Sequence, residues 1–135
     1  MRFEDISVGD SASTVKQFSS EDVLAFAALS TDFNPVHVDE AYAKQSFFGK
    51  RIVHGFLAGS LISATIASKL PGEGSIYLHQ DMDFVKPVYL DDTITATVEV
   101  TGLKKEKNIV TLNTYCRNQR DEVVIKGTAV IKLLN

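Results

Sequence analysis

The stretch Phe56 to Lys69, FLAGSLISATIASK, decides the fold. It carries no charge before Lys69, and its apolar or small residues fall on every side of a helical period. A helix with no strongly polar face has to be wrapped by other structure. As a membrane span it is short, and Ser60, Ser63, Thr65 and Ser68 interrupt it. It therefore reads as a buried core helix.

The wrapping is supplied downstream. In Thr93 to Val100 the residues Ile94, Ala96, Val98 and Val100 alternate with Thr93, Thr95, Thr97 and Glu99, the period of a half-buried strand. Asn108 to Arg117 and Val123 to Leu133 read as two more strands, joined by a hairpin turn at Asn118-Gln119-Arg120-Asp121. Ser75 to Phe84 reads as one earlier strand, ending before Lys86-Pro87. Upstream, Ser11 to Phe18 suits a short first strand. Ser19 and Asp22 have capping-box spacing ahead of a helix reaching about Leu29. Asp39 is placed to cap a short helix from Glu40 to about Gln45, with Gly49 in the loop beyond. Together these elements predict an α+β arrangement, an antiparallel sheet with one long hydrophobic helix against one face.

At 135 residues the chain has room for about one domain of roughly 150 residues, so residues 1–135 read as a single domain. Its 44% hydrophobic and 23% charged residues exclude a disordered chain. The formal charge of -3 and pI near 5.5 leave no basic footprint for nucleic acid. MRFEDISVGD lacks the basic start and apolar run of an export signal, and the lone Cys116 cannot form an internal disulfide. A cytoplasmic protein, with no membrane and no nucleic-acid partner, is the expectation.

Chemistry concentrates in Ser30 to Asp39, STDFNPVHVD, where Asp32, Asn34 and His37 sit on a turn restricted by Pro35. A carboxylate and an imidazole held together can act on one water, one as base and the other as acid. Asp and Asn are also ordinary turn residues, so by type alone the same segment reads equally as a helix-ending turn with Asp39 capping the next helix.

FAALSTDFNPVHVDEAYA, Phe26 to Ala43, resembles the hydratase motif of the MaoC-like, (R)-specific enoyl-CoA hydratases, and IVHGFL, Ile52 to Leu57, resembles the family's second signature. LPG at Leu70 to Gly72, GSIYL at Gly74 to Leu78 and F-x-x-P-V at Phe84 to Val88 continue the likeness along nearly the whole chain. The length is similar to that of short bacterial members linked to polyhydroxyalkanoate precursor supply.

The resemblance implies a hot-dog fold and reversible hydration of trans-2-enoyl-CoA to (R)-3-hydroxyacyl-CoA, with no metal and no other cofactor. It makes Asp32 and His37 the catalytic dyad, gives Asn34 a supporting role, and assigns the backbone N–H of Gly55 to the thioester oxygen. It also implies an acyl-CoA thioester as partner substrate and a homodimer with the pocket at the subunit interface. Thr31 departs from the pattern, since many members have Gly just before the catalytic Asp.

Other residues admit two readings. His54 precedes Gly55 and either supports the site or holds the loop-to-helix junction by hydrogen bonds. His79 lies in a strand pattern and needs no special role. A zinc site from His37, His54, Asp32 and Asp39 has spacings unlike a compact metal motif. No nucleophile elbow surrounds Ser60 or Ser63, which read as small positions leaving room for an acyl chain or a neighbouring strand. Lys104, Lys105 and Lys107 form either a solvated hairpin tip or a contact for coenzyme A phosphates, and Lys50 and Arg51 stand under the same two readings.

Three functions compete: the hydratase, a (3R)-hydroxyacyl-carrier-protein dehydratase or thioesterase of the same fold, and a non-catalytic acyl-thioester-binding module. Thioesterases and fatty-acid-synthesis dehydratases of this fold commonly carry a carboxylate on the central helix. Phe56 to Lys69 has none, and the joint presence of Asp32, Asn34, His37 and Gly55 speaks against a binding module.

Overall fold

Apolar alternation in the second half of the chain produces one six-stranded antiparallel sheet in the computed structural model, which describes residues 1–134. The strands are β1 (Ser11–Gln17), β2 (Ser75–Gln80), β3 (Asp83–Phe84), β4 (Thr93–Lys104), β5 (Ile109–Arg117) and β6 (Val123–Leu133). They lie in the order β1-β4-β5-β6-β2, with β3 also paired to β6. Ile94, Ala96, Val98 and Val100 are fully buried, as the alternation requires, and Val110, Leu112, Thr114 and Cys116 carry the same face across β5. The register pairs Val98 with Thr114 and Ala96 with Cys116, so the two rows lie side by side.

The helices are α1 (Ser20–Ser30), α2 (Pro35–Val38), α3 (Glu40–Gln45) and α4 (Gly55–Ser68). The long helix α4 packs against β4, β1 and β5. Its buried side consists of Ala58, Gly59, Leu61, Ile62, Thr65 and Ile66. Burial of Leu61, Ile62 and Ile66 contributes about 2 kcal/mol each. An antiparallel sheet curled about one long apolar helix is the hot-dog fold, in agreement with the expected α+β class.

Three details differ from the expectations, and a fourth narrows a reading left open. The helix is covered on one side only, because the strands of this chain reach only one face. Phe56, Ser60, Ser63, Ala64 and Ala67 form an exposed stripe on the other. The segment 75–84 is two strands rather than one: Asp81 interrupts it, its N–H bonded to the Thr128 carbonyl and its Oδ1 accepting from the Thr128 N–H, both at 3.0 Å. A helical turn, α2, occupies Pro35–Val38, where only a turn was expected. The Lys104, Lys105 and Lys107 tip joins β4 to β5 at the end where Ile109 pairs with Lys132. That end of β6 is remote from Ile125, which lines the cavity described below, so the tip lies away from the same chain's cavity.

Among the described residues no helix is long and apolar enough to cross a membrane. Cys116 is free and buried, and burial pushes its thiol up to about 12, which removes it as a nucleophile at neutral pH.

The crossing of Asp81 over β6 depends on Gly127. A Cβ there would lie 1.9 Å from the Asp81 carbonyl oxygen. Gly127→Ala is therefore expected to lower stability by about 3 kcal/mol, read by urea titration. An unchanged midpoint would show that this crossing is not constrained.

Candidate active site

Two segments distant in sequence build the site, and each is positioned by the other. The first begins where α1 ends. Ser19 and Asp22 form the expected capping box at its start, with bonds of 3.0 and 3.1 Å. Thr31 closes its end in left-handed geometry, φ 68° and ψ 13°, a conformation that costs a β-branched residue about 1–2 kcal/mol. The departure noted at Thr31 thus falls on a position where glycine would be unstrained. Beyond it, the Asp32 Oδ1 accepts from the Asn34 N–H at 3.2 Å, and the Asn34 Oδ1 accepts from the Val36 N–H at 3.4 Å. Asn34 is therefore the N-cap of α2, with Pro35 at its first position.

The second segment, 51–55, runs beside α2. The Ile52 N–H donates to the Val36 carbonyl at 3.2 Å, and the Val53 N–H to the Val88 carbonyl at 2.7 Å. His37 Nδ1 lies 2.8 Å from the Ile52 carbonyl oxygen, and His54 Nε2 lies 3.0 Å from the Asp32 carbonyl oxygen. A carbonyl only accepts, so His37 carries its proton on Nδ1 and His54 on Nε2. The lone pair of His37 therefore sits on Nε2. The two imidazoles stack with centroids 3.9 Å apart and planes at 27°, and Phe26 meets His54 edge-on at 4.8 Å.

Burial holds the His37 imidazole below its ordinary value of 6.5, opposed by the bond to Ile52, with His54 and Arg51 adding to the lowering and Asp32 opposing it. His37 is thus neutral at pH 7 and able to accept a proton.

The third component is the start of α4. Ser19, Asn34 and Asp39 cap α1, α2 and α3 with side-chain acceptors, whereas His54 gives α4 none. The first N–H groups of α4 thus remain available, with the positive end of the helix dipole behind them. Gly55 stands there against the Phe84 ring, whose Cε1 would be 2.6 Å from any added Cβ. Asp32, His37, His54, Gly55, Phe84 and Lys86 line one cavity of about 830 Å³.

Residues 7–120 match the family model described as MaoC like domain. The chain belongs to the MaoC-like family. It is 49% identical over 129 residues to the (R)-specific enoyl-CoA hydratase of Rhodospirillum rubrum, covering 96% of this chain and 89% of that one. It is 46% identical over 133 residues to the (R)-specific enoyl-CoA hydratase of Aeromonas caviae, covering 98% and 99%. The solved structure of the (R)-hydratase from A. caviae, described as involved in PHA biosynthesis, superposes with a TM-score of 0.94 over 96% of this chain and 98% of that chain.

In this MaoC-like chain the cavity gathers Asp32, His37, His54 and Gly55, but not every residue expected at the site. Asn34 does not line it and instead caps α2, its Oδ1 accepting from the Val36 N–H. Ser60 and Ser63 lie on the exposed stripe of α4 and line a second groove of about 320 Å³ with Tyr77 and Met82. Both readings of Arg51 are replaced: it is buried, with its Nε donating to the His37 carbonyl at 2.6 Å. Lys86, at the cavity wall and paired with Glu122 at 2.7 Å, is the basic residue that the sequence reading missed.

Asp32, His37 and His54 offer ligand atoms within 4.8 Å of one another. Each imidazole has one nitrogen committed to a backbone carbonyl, however, and the rings stack face to face. Zinc would need in-plane bonds of about 2.1 Å converging from both rings. Stacked planes do not converge over that distance, so this group does not fit a chelated ion.

Replacing the strained threonine tests the loop geometry. Thr31→Gly relieves about 1–2 kcal/mol of left-handed strain against a chain-entropy cost of about 0.5–1 kcal/mol, so a net gain of up to about 1.5 kcal/mol is expected in urea unfolding. A lower midpoint would count against strain at this residue.

Proposed function

We propose that the chain is an (R)-specific enoyl-CoA hydratase, adding water reversibly to trans-2-enoyl-CoA to give (R)-3-hydroxyacyl-CoA. The observation that carries this reading is the meeting of two proton acceptors, the Asp32 carboxylate and His37 Nε2, with the uncapped start of α4 in one cavity. The named activities of the R. rubrum and A. caviae relatives support it.

In the proposed reaction one water donates a hydrogen bond to each acceptor. Its oxygen attacks the β carbon while one of the pair takes its proton, and the electron pair of the double bond moves toward the thioester. Negative charge gathers on the thioester oxygen, where the Gly55 N–H donates to it. The proton then passes to the α carbon, and the dyad ends as it began. Both additions come from the water's side of the substrate, so the outcome is syn. Every proton and electron pair in these steps comes from water, substrate or these side chains. Dehydration of the hydroxyacyl thioester is the same path reversed.

The working unit is proposed to be a homodimer. β2 is the free apolar edge of the sheet, with Ile76, Tyr77 and Leu78 exposed at 45%, 39% and 53%. Such an edge invites pairing. A second copy there would cover the groove beside Ser60 and Ser63 and complete the substrate pocket.

Hydration of crotonyl-CoA, followed by loss of enoyl absorbance with chiral analysis of the product, tests the reaction, and a carrier-protein thioester run in parallel tests the carrier. Asp32→Asn and His37→Ala are each expected to lower kcat/KM by about 10³-fold while leaving the circular dichroism spectrum unchanged. Wild-type rates in either folded variant would exclude the dyad. For the edge, Leu78→Lys is expected to yield monomers in sedimentation with reduced turnover, and a fully active monomer would refute the dimeric pocket.

A further inference from the structure

We infer that Arg51 is a positioning residue for His37, its guanidinium closing the C-terminal end of α2 from inside the protein. The helix has four residues, too few to sustain itself. Its final carbonyls need partners from outside the turn. The Pro35 carbonyl accepts from the Asp39 N–H at 2.9 Å and the Val36 carbonyl from the Ile52 N–H at 3.2 Å. The carbonyl of His37 itself accepts from Arg51 Nε at 2.6 Å, a charge-assisted bond. A cation at a helix C-terminus is also favoured by the dipole.

The same guanidinium ties α2 to its neighbours. Nη1 donates to Ser20 Oγ at 3.0 Å, on the first turn of α1, and to Glu40 Oε1 at 3.5 Å, on the first turn of α3. One side chain thus spans three helices. Arg51 is only 7% exposed, while the Glu40 side chain is 74% exposed and distant enough to compensate weakly. Its Nη2 is buried with no hydrogen-bond partner. A buried, incompletely paired cation is costly, and the groups it touches lie around His37.

Charge follows from the same placement. The groups facing the His37 imidazole are Asp32, which favours the protonated ring, and His54 and Arg51, which oppose it. Arg51 therefore helps to hold His37 as a proton acceptor as well as fixing its backbone.

Arg51→Gln removes the charge and retains an N–H donor, and Arg51→Lys retains the charge but loses the fork. The chain has three histidines, so each imidazole can be followed by nitrogen NMR across pH. In Arg51→Gln the His37 midpoint is expected to rise, and the acid limb of kcat/KM to move up with it. The sign follows from loss of a neighbouring positive charge, which makes the imidazolium easier to form. In Arg51→Lys the midpoint stays near wild type, while kcat falls about 10-fold or more through displacement of His37, with KM changed little. A folded Arg51→Gln with an unmoved His37 midpoint, or Arg51→Lys with wild-type kcat, would overturn the inference. Should Arg51→Gln fail to fold, the lysine variant still decides it. The effect on turnover rests on the hydratase reading, whereas the imidazole titration stands without it. Absence of turnover in wild type would defeat the first and leave the second testable.

Discussion

The site depends on where α4 begins. Burial of Ala58, Leu61, Ile62, Thr65 and Ile66 against the sheet sets the axis of that helix. The bond from the Val53 N–H to the Val88 carbonyl then fixes the point at which the chain enters it. Gly55 consequently opens onto the cavity with its helix uncapped, while every other α-helix satisfies its start with its own Ser, Asn or Asp. A side-chain cap at His54 would have occupied the donors at the start of α4.

Around this fixed point, segments 32–37 and 51–54 hold each other. His54 grips the carbonyl of Asp32, His37 grips that of Ile52, Arg51 grips that of His37, and the Ile52 N–H grips that of Val36. Each bond is worth about 1 kcal/mol net, but none can form without bringing the others close. The result is a clasp in which side chains recognise backbone, so the placement of Asp32 and His37 relies on few other side chains.

Much of this is legible in the amino-acid sequence. The β4 alternation, the Ser19 and Asp22 capping box and the Asp39 cap rest on local rules, and each appears where its residues require. By residue type alone Asp32 and His37 read equally as parts of a helix-ending turn, and the likeness of the segment to the hydratase motif is what marks them as a pair. The unread parts are those decided by distant partners. α2 is too short to show a period and exists through Ile52 and Arg51. The break at Asp81 comes from Gly127, far along the chain. Arg51 resembles any solvated cation until three helices are seen to meet on it. Ser60 and Ser63 lie on a helix apolar or small all round, whose pattern cannot say which side meets the sheet.

Cys116 lies on the inner face of β5, paired with Ala96 on one side and Ile125 on the other. With its thiol pushed up to about 12, only roughly one part in 10⁵ is thiolate at neutral pH. An alkylating reagent therefore reaches it only when the central strands separate. The single sulfhydryl in the middle of the sheet is a built-in clock for opening of the sheet, and its labelling rate reports the separation of those strands without any need to follow a reaction.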